Sequence, residues 1–107
     1  MPKYLMEARY TAEGAKGLAR EGGTKRLRAV EKAYKGVNGK LEAFYYAFGE
    51  HDVYAIVDLP NHAAAAAASL AVNSTGLVTI RTTVLLSPKE IDAATKKAVN
   101  YRGPGQK

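Results

Sequence analysis

The adjacent residues His51 and Asp52 carry the side chains of this sequence that are best suited to acid–base chemistry. A histidine near a carboxylate can act as a general base, and Tyr54, two residues further on, adds a phenol. Neighbouring residues of a strand point to opposite faces, however, and Gly49 and Asp52 also suit a turn in which Asp52 accepts backbone N–H bonds. Two interpretations stay open: His51 and Tyr54 contact a ligand, or this segment only turns the chain.

Three further charged residues could contribute to a ligand site. Glu7 and Arg9 share one face of a predicted strand, and Arg81 lies on a later strand. Inside a barrel formed by two sheets, these side chains could hold an anionic or phenolic ligand. The alternative is that they form salt bridges between subunits or face solvent.

Several tyrosines could likewise stack on a planar ligand or pack in a core or interface: Tyr4, Tyr10, Tyr45, Tyr46 and Tyr54.

Four basic residues, Lys25, Arg28, Lys32 and Lys35, recur at steps of three and four and form a stripe along a predicted helix. Such a stripe is usually a solvated face, but it can also contact an acidic partner or the phosphate backbone of a nucleic acid. The sequence has no helix-turn-helix pattern, RNA-binding aromatic signature or zinc finger, so nucleic acid is a disfavoured partner. The stripe supports an alternative function as a non-enzymatic assembly or regulatory protein.

The composition removes several classes of chemistry. The 107 residues include no cysteine and two histidines, which excludes disulfides, thiolate zinc sites and cysteine nucleophiles. The sequence also lacks a glycine-rich phosphate loop, so we expect no cofactor, and it lacks a nucleophile elbow, which disfavours a serine hydrolase. With two histidines and no cysteine, we expect no metal either. Sixteen Lys and Arg against ten Asp and Glu give a net charge of +6, which favours anionic partners. With no leader pattern and no long apolar segment, the expectation is a soluble, cytoplasmic protein.

Alternating and helical apolar patterns predict the strands and helices that position these residues. A first strand covers residues 4–10, and Thr11 caps a helix that a Gly-Gly pair interrupts. Thr24 is expected to cap a second, amphipathic helix over residues 25–37. The next two strands, predicted to pair antiparallel, are residues 41–48 and 53–59.

The second half of the chain adds another helix, strand and helix. Asn61 caps an alanine-rich helix to about residue 73, and residues 77–86 form a β-branched fourth strand. The run Ser87-Pro88-Lys89-Glu90 has the capping-box pattern and begins a short helix to about residue 99. Residues 1–99 are therefore expected to form one domain, followed by a flexible tail over residues 100–107.

The order βαββαβ with an additional C-terminal helix predicts an α+β, ferredoxin-like fold with a four-stranded antiparallel sheet in the order 4-1-3-2. Strand two alternates Leu41, Ala43 and Tyr45 on one face with Phe44 and Tyr46 on the other, so both faces are apolar. The helices of one chain cover one face, and a second copy is the simplest cover for the other. The sequence thus predicts a homodimer or a higher oligomer.

Residues 48–61, Phe-Gly-Glu-His-Asp-Val-Tyr-Ala-Ile-Val-Asp-Leu-Pro-Asn, resemble the signature of the GYD-domain family. Tyr10-Thr11 at the end of strand one, Arg26-Leu27 in the second helical segment and the last strand, residues 76–83, resemble the same family. The resemblance covers about residues 4–90. His51 departs from the pattern, since the family most often has tyrosine there.

The resemblance implies a dimeric α+β barrel of a small bacterial or archaeal protein more than it implies an activity, because the family has no established general function. Related barrel families include cofactor-free oxygenases, dismutase-like haem enzymes and stress-response proteins, and a shared fold is a weak basis for chemistry. The leading hypothesis is a barrel that binds a small organic ligand between sheet and helices or between two sheets, or transforms it without a cofactor. The candidate ligand contacts are His51, Tyr54, Arg81, Glu7 and Arg9, with Gly49 and Asp52 as turn residues.

Overall fold

A computed structural model describes residues 1–107 and contains four strands in one antiparallel sheet. The strands are β1 (Lys3–Tyr10), β2 (Lys40–Tyr46), β3 (Val53–Asp58) and β4 (Val78–Leu85). Their order across the sheet is β2-β3-β1-β4, which places β1 and β3 in the centre. This topology confirms the α+β, ferredoxin-like fold that the sequence predicts.

Helices cover one face of this sheet. The four helices are α1 (Ala12–Glu21), α2 (Gly23–Lys35), α3 (His62–Asn73) and α4 (Pro88–Thr95). α2 packs on β2 and α3 packs on β4, at opposite edges of the sheet. We call the covered side of the sheet the helix face and the other side the open face.

Three of the predicted helix caps are confirmed, and one is wrong. The side chains of Thr11 and Asn61 accept N–H bonds at the starts of α1 and α3, and Ser87 forms the capping box of α4. Thr24, by contrast, lies inside α2, whose N-cap is Gly22 with φ of 85° and no side-chain cap. The chain reverses at a positive φ that glycine adopts without strain, so α2 begins immediately after it.

A β-bulge in β2 changes which side chains share a face. The pairing of β2 with β3 shifts between Leu41 and Ala43, so that Leu41 lies opposite Val57 and Phe44 opposite Ala55. Leu41 therefore joins Phe44 and packs against the core, whereas strict alternation assigns it to the face of Ala43. The predicted face of Leu41 is wrong because one additional residue in a strand reverses the alternation beyond it.

The hydrophobic core lies between the helix face and the helices. Alternate residues of the two central strands are buried, and those between them point to the open face. The ten core residues are Tyr4, Met6, Ala8, Tyr34, Val53, Ala55, Val57, Leu59, Ala65 and Ile80. The sheet thus presents a buried apolar side to the helices and a partly exposed side to its surroundings.

Residues 86–107, which we call the C-terminal arm, extend away from the sheet. The helix within it ends at Thr95 rather than near residue 99, and none of the residues of α4 is buried. The molecule measures 60 × 32 × 22 Å, and its radius of gyration is 17.3 Å. A compact chain of this length has a radius of gyration of roughly 13 Å, so the arm accounts for an elongated shape. No helix combines the length and apolar character needed to cross a membrane.

Candidate functional site

The structure brings the five candidate ligand contacts together on the open face. In the register of the sheet, Glu7 of β1 lies directly opposite Tyr54 of β3 on one side and Arg81 of β4 on the other. Arg9, two residues further along β1, therefore points to the same face. His51 reaches this group from the connection between β2 and β3. We call Glu7, Arg9, His51, Tyr54 and Arg81 the open-face cluster.

His51 lies at the centre of the open-face cluster. Its side chain is buried, and its Nδ1 atom is 3.4 Å from the Oε2 atom of Glu7. Nδ1 is shut off from solvent and has no hydrogen-bond partner. The imidazole meets the ring of Tyr54 edge to face, with 5.8 Å between the ring centroids. Glu7 is thus the carboxylate that faces His51.

Asp52 accepts a backbone N–H, in agreement with the interpretation in which this segment turns the chain. Its Oδ2 atom accepts the backbone N–H of Tyr10 at 2.9 Å, and its own N–H donates to the carbonyl of Ala8 at 2.8 Å. Asp52 therefore ties the connection to the end of β1. Gly49 has no positive φ, and a methyl group added there would meet no other atom within 4 Å, so this backbone does not require glycine.

An open groove of about 440 Å³ lies beside His51, lined by Arg9, Glu50, His51, Thr79 and Arg81. Both Nε and Nη2 of Arg9 donate to the backbone carbonyl of Glu50, which fixes the guanidinium at the edge of the groove. Arg81 is exposed and takes part in none of the ion pairs of the chain. Within one copy, therefore, Arg81 does not form the salt bridge that its position opposite Glu7 allows.

A second site, on the helix face, is an apolar cavity that we call the inter-helix cavity. Because α2 and α3 pack at opposite edges of the sheet, a gap between them exposes the core. The cavity has a volume of about 190 Å³, and 16 of its 17 lining residues are hydrophobic. Its floor includes Met6, Ala8 and Val53, and Ala33 and Ala71 are among the exposed residues at its two sides.

One charged residue, Arg26 of α2, lines the inter-helix cavity beside Tyr10. The Arg26 guanidinium is 3.6 Å from a carboxylate oxygen of Glu21, and the nearby Tyr46 hydroxyl donates to the carbonyl of Gly23 at 2.9 Å. Burial raises the pKa of Tyr10 and outweighs the opposing effect of Arg26, and burial also raises the pKa of Tyr46. Both phenols therefore keep their protons at physiological pH.

The sequence predicted a ligand either between sheet and helices or between two sheets, but none of the five candidate contacts lines the inter-helix cavity, and Arg26 was not among them. The sequence suggested Tyr10 and Tyr46 as residues that could stack on a ligand, whereas Arg26 belongs to the pair Arg26-Leu27 that resembles the family. The one signal in the sequence is the small size of the residues on the facing helices, Ala29 and Ala33 of α2 and the alanine run of α3. Their separation follows from where each helix packs on the sheet, which local patterns do not encode.

The second histidine and the basic stripe lie outside both sites. His62 begins α3, and its Nδ1 atom is 2.6 Å from the hydroxyl of Tyr4. The four residues of the basic stripe, Lys25, Arg28, Lys32 and Lys35, are all exposed and belong to none of the ion pairs. No three His, Cys, Asp or Glu side chains lie close enough together to bind a metal ion.

The comparison with known proteins places the chain at the level of a family. No curated protein and no solved structure matches it. A family model, described as the GYD domain, matches residues 4–95, which include all four strands and the helices through α4. The match covers most of the 107 residues, and it agrees with the resemblance of residues 48–61. The chain therefore belongs to the GYD-domain family.

Proposed function

We propose that this protein binds a small, single-ring organic ligand in the inter-helix cavity. The observation that carries the proposal is the lining: 16 hydrophobic residues and one charged residue, Arg26, around an opening into the core. Concave, largely apolar sites with a few converging polar groups are where small molecules bind in proteins. The apolar surface between the two helices is open to water, and covering it with a ligand lowers the free energy, which favours binding.

The volume of the cavity limits the ligand to about one ring. A cavity of roughly 150 Å³ lined by apolar side chains can bind benzene, whereas drug-sized ligands occupy roughly 300–1,000 Å³. At about 190 Å³, the inter-helix cavity accommodates a benzene-sized ring with one or two small substituents. The ligand class that fits is therefore a monocyclic, mostly apolar molecule.

The polar end of the cavity favours a ligand with one hydroxyl or carboxylate. Arg26 supplies a positive charge, and Tyr10 and Tyr46 lie close to its guanidinium. Because burial raises the pKa of both phenols, they keep their protons and are poor bases. The Tyr46 hydroxyl already donates to Gly23, so Tyr10 is the phenol that can donate to a ligand. These features support binding and orientation of a phenol or an aromatic acid more than a proton abstraction by tyrosine.

Ligand-observed NMR with toluene, phenol and benzoate tests the proposed binding. The variant Ala71→Phe places a ring at the side of the cavity, whereas Ala63→Phe makes the same change at an exposed position of α3 that does not line it. We expect the unaltered protein and A63F to bind phenol and A71F to lose that binding. Equal binding to A71F and A63F, or the absence of binding by all three compounds, contradicts the proposal.

The role of Arg26 is tested by the variant Arg26→Gln with the same compounds. We expect benzoate to bind at least about tenfold more weakly, because a charge-assisted hydrogen bond is lost. Toluene has no polar group, so its binding is expected to change by less than about twofold. An equal loss for both compounds indicates that the substitution alters the cavity instead of removing a contact to the carboxylate.

We also propose that a second copy of the chain covers the open face. The support is the apolar surface there: Leu5 lies opposite Ile56 at the centre of the sheet, and 72% of Tyr45 is exposed at the edge strand β2. Native mass spectrometry of the purified protein measures the subunit number and any retained small molecule together. A dimer or larger assembly is the expected result, and a monomer contradicts this proposal.

The basic stripe supports a second candidate function, the binding of an acidic partner or nucleic acid. The specific observation is that its four cations are exposed and free of ion pairs. Such binding must weaken as salt rises, because it depends on unscreened charge. Fluorescence anisotropy with a labelled single-stranded oligonucleotide at increasing salt tests it, with Lys32→Gln as the variant. No binding at low salt, or binding that salt leaves unchanged, counts against it.

A further inference from the structure

We propose that Arg9 and Arg81 of the open-face cluster form a binding site for a small oxoanion, a carboxylate or a phosphate, held in the groove beside His51. This site lies on the opposite side of the sheet from the inter-helix cavity and does not depend on a ligand there. The groove measures about 440 Å³ and is lined by charged and polar residues, in contrast to the apolar cavity.

The first support is that Arg81 lacks a counter-charge. Glu7 is its direct neighbour across the β1–β4 ladder, yet the Glu7 carboxylate lies against His51, with 3.4 Å between Oε2 and Nδ1. Because the Glu7 carboxylate lies against the buried His51 and not against Arg81, the guanidinium of Arg81 keeps its donors free in the groove. A guanidinium offers a planar pair of donors that matches an oxoanion in shape as well as charge.

The second support is that Arg9 is held in place beside Arg81. In the register of the sheet, Arg9 lies opposite Thr79, and Glu7 lies opposite Arg81. Arg9 and Arg81 are thus diagonal neighbours on one face, a separation of about 7–8 Å that long side chains span. The contact from Arg9 to the Glu50 carbonyl fixes the guanidinium, which lowers the conformational entropy lost on binding.

Neither of the two carboxylates near the groove, Glu7 and Glu50, forms an ion pair with Arg9 or Arg81. The Glu7 carboxylate lies against His51, and the side chain of Glu50 lies in an exposed loop where solvent screens it. Thr79 adds a hydroxyl to the lining of the groove. An anion bound here would also supply the counter-charge that the two guanidinium groups need when a second copy covers the open face.

NMR titration of the ¹⁵N-labelled full-length protein tests this site directly. Inorganic phosphate and acetate serve as separate probes, and sodium chloride keeps the ionic strength constant. We expect saturable shifts of the amides around residues 79–81 and 50–51 with at least one probe. Saturation by phosphate alone identifies a phosphate group as the ligand, and saturation by acetate identifies a carboxylate.

The variant Arg81→Gln, with Arg28→Gln as its control, separates a site from a general effect of charge. Arg28 is exposed on α2, so R28Q removes the same charge at a distance from the groove. We expect R81Q to weaken the anion at least about tenfold and R28Q to change it by less than about twofold. Arg81 is exposed, so R81Q is expected to retain the spectrum of the folded protein. Equal effects of the two variants, or no saturable shift with either probe, overturn the proposal.

Discussion

At the scale of single residues, Asp52 and Glu7 show how backbone contacts give two carboxylates different roles. Asp52 is next to His51 in the sequence, but its Oδ2 atom accepts the N–H of Tyr10. Glu7 is 44 positions away from His51, and the sheet brings its Oε2 atom to 3.4 Å from the imidazole. Of the two interpretations that the sequence left open for Asp52, the structure agrees with the one in which it accepts a backbone N–H, and the carboxylate that faces His51 is Glu7.

The variant Asp52→Ala is expected to destabilise the protein, because it leaves the partly buried N–H of Tyr10 without its acceptor. The expected loss in the free energy of unfolding is about 1–3 kcal/mol, measured by urea denaturation. Glu50, an exposed residue two positions before Asp52, provides the control. The variant Glu50→Ala is expected to change the free energy of unfolding by less than about 0.5 kcal/mol. If D52A changes the free energy of unfolding by a similarly small amount, the hydrogen bond from Tyr10 to Asp52 contributes little to stability.

At the scale of helices and strands, α1 lies in very close contact with the start of β4. Gly14 is buried, and a Cβ atom built on it overlaps the backbone carbonyl oxygen of Leu77. The N–H and hydroxyl of Thr11, which caps α1, both donate to the same carbonyl. The helix approaches the strand this closely because position 14 has no side chain.

The variant Gly14→Ala is expected to lower the free energy of unfolding by at least about 1–3 kcal/mol, because backbone atoms must move to admit the methyl group. Gly17 lies in the same helix with no other atom within 4 Å of a built Cβ, so Gly17→Ala is the matched control. G17A is expected to stabilise the protein by about 0.5–1 kcal/mol through helix propensity. Thermal unfolding measures both variants, and a stable G14A contradicts the close approach of α1 and β4.

At the scale of the whole molecule, the structure consists of two parts. One is the sheet with the helices that pack on it, and the other is the C-terminal arm, which makes few contacts with the sheet or those helices. α4 has its own capping box, yet the exposed fractions of Val99 and Tyr101 beyond it are 80% and 74%. An isolated helix of eight residues is marginal in water, so the arm adds little to the stability of the sheet and its helices. The elongated shape of the molecule follows from this arrangement.

Removal of residues 87–107 is therefore expected to change the free energy of unfolding by less than about 0.5 kcal/mol. Urea denaturation of the shortened and full-length chains measures the difference. A loss above about 2 kcal/mol is incompatible with an arm that makes so few contacts and means that these residues pack against the rest of the protein in solution.

The stability of the whole molecule is also expected to fall at alkaline pH. Burial raises the pKa of Tyr34, Tyr10 and Tyr46 above the ordinary value of 10.0, so the folded state holds these phenol protons more tightly than the unfolded state does. The contribution of these raised pKa values to the free energy of unfolding is fully present below about pH 10, and it is lost as the pH rises through the pKa values of the folded state. Urea denaturation at pH values from neutral to above 10 measures this loss.

Tyr34→Phe removes one of these groups, and the exposed Tyr101→Phe is the control. The alkaline loss of stability is expected to be smaller in Y34F than in the unaltered protein and to be unchanged in Y101F. If Y34F loses as much stability as the unaltered protein, the burial of the Tyr34 phenol does not contribute to the pH dependence.

The sequence by itself determined the order of the strands and helices, three of the helix caps and the family, because these depend on local patterns. Thr11, Asn61 and Ser87 each act on backbone groups within a few residues, and residues 48–61 form one contiguous motif. Alternation along β1 and β3 also sorts their residues into two faces, and the helices bury one of these faces. The bulge that moves Leu41 to the helix face was not predicted, because a single additional residue leaves no clear local signal.

Only the tertiary structure decided which side chains meet. The pairing of β1 with both β3 and β4 places Glu7 between Tyr54 and Arg81, and the connection before β3 brings His51 to the same carboxylate. The inter-helix cavity exists because α2 and α3 pack at opposite edges of the sheet, which exposes Arg26 and apolar core residues between them. Such contacts join residues that are far apart in the chain, and their geometry is set by packing and register, which no local pattern of side chains specifies.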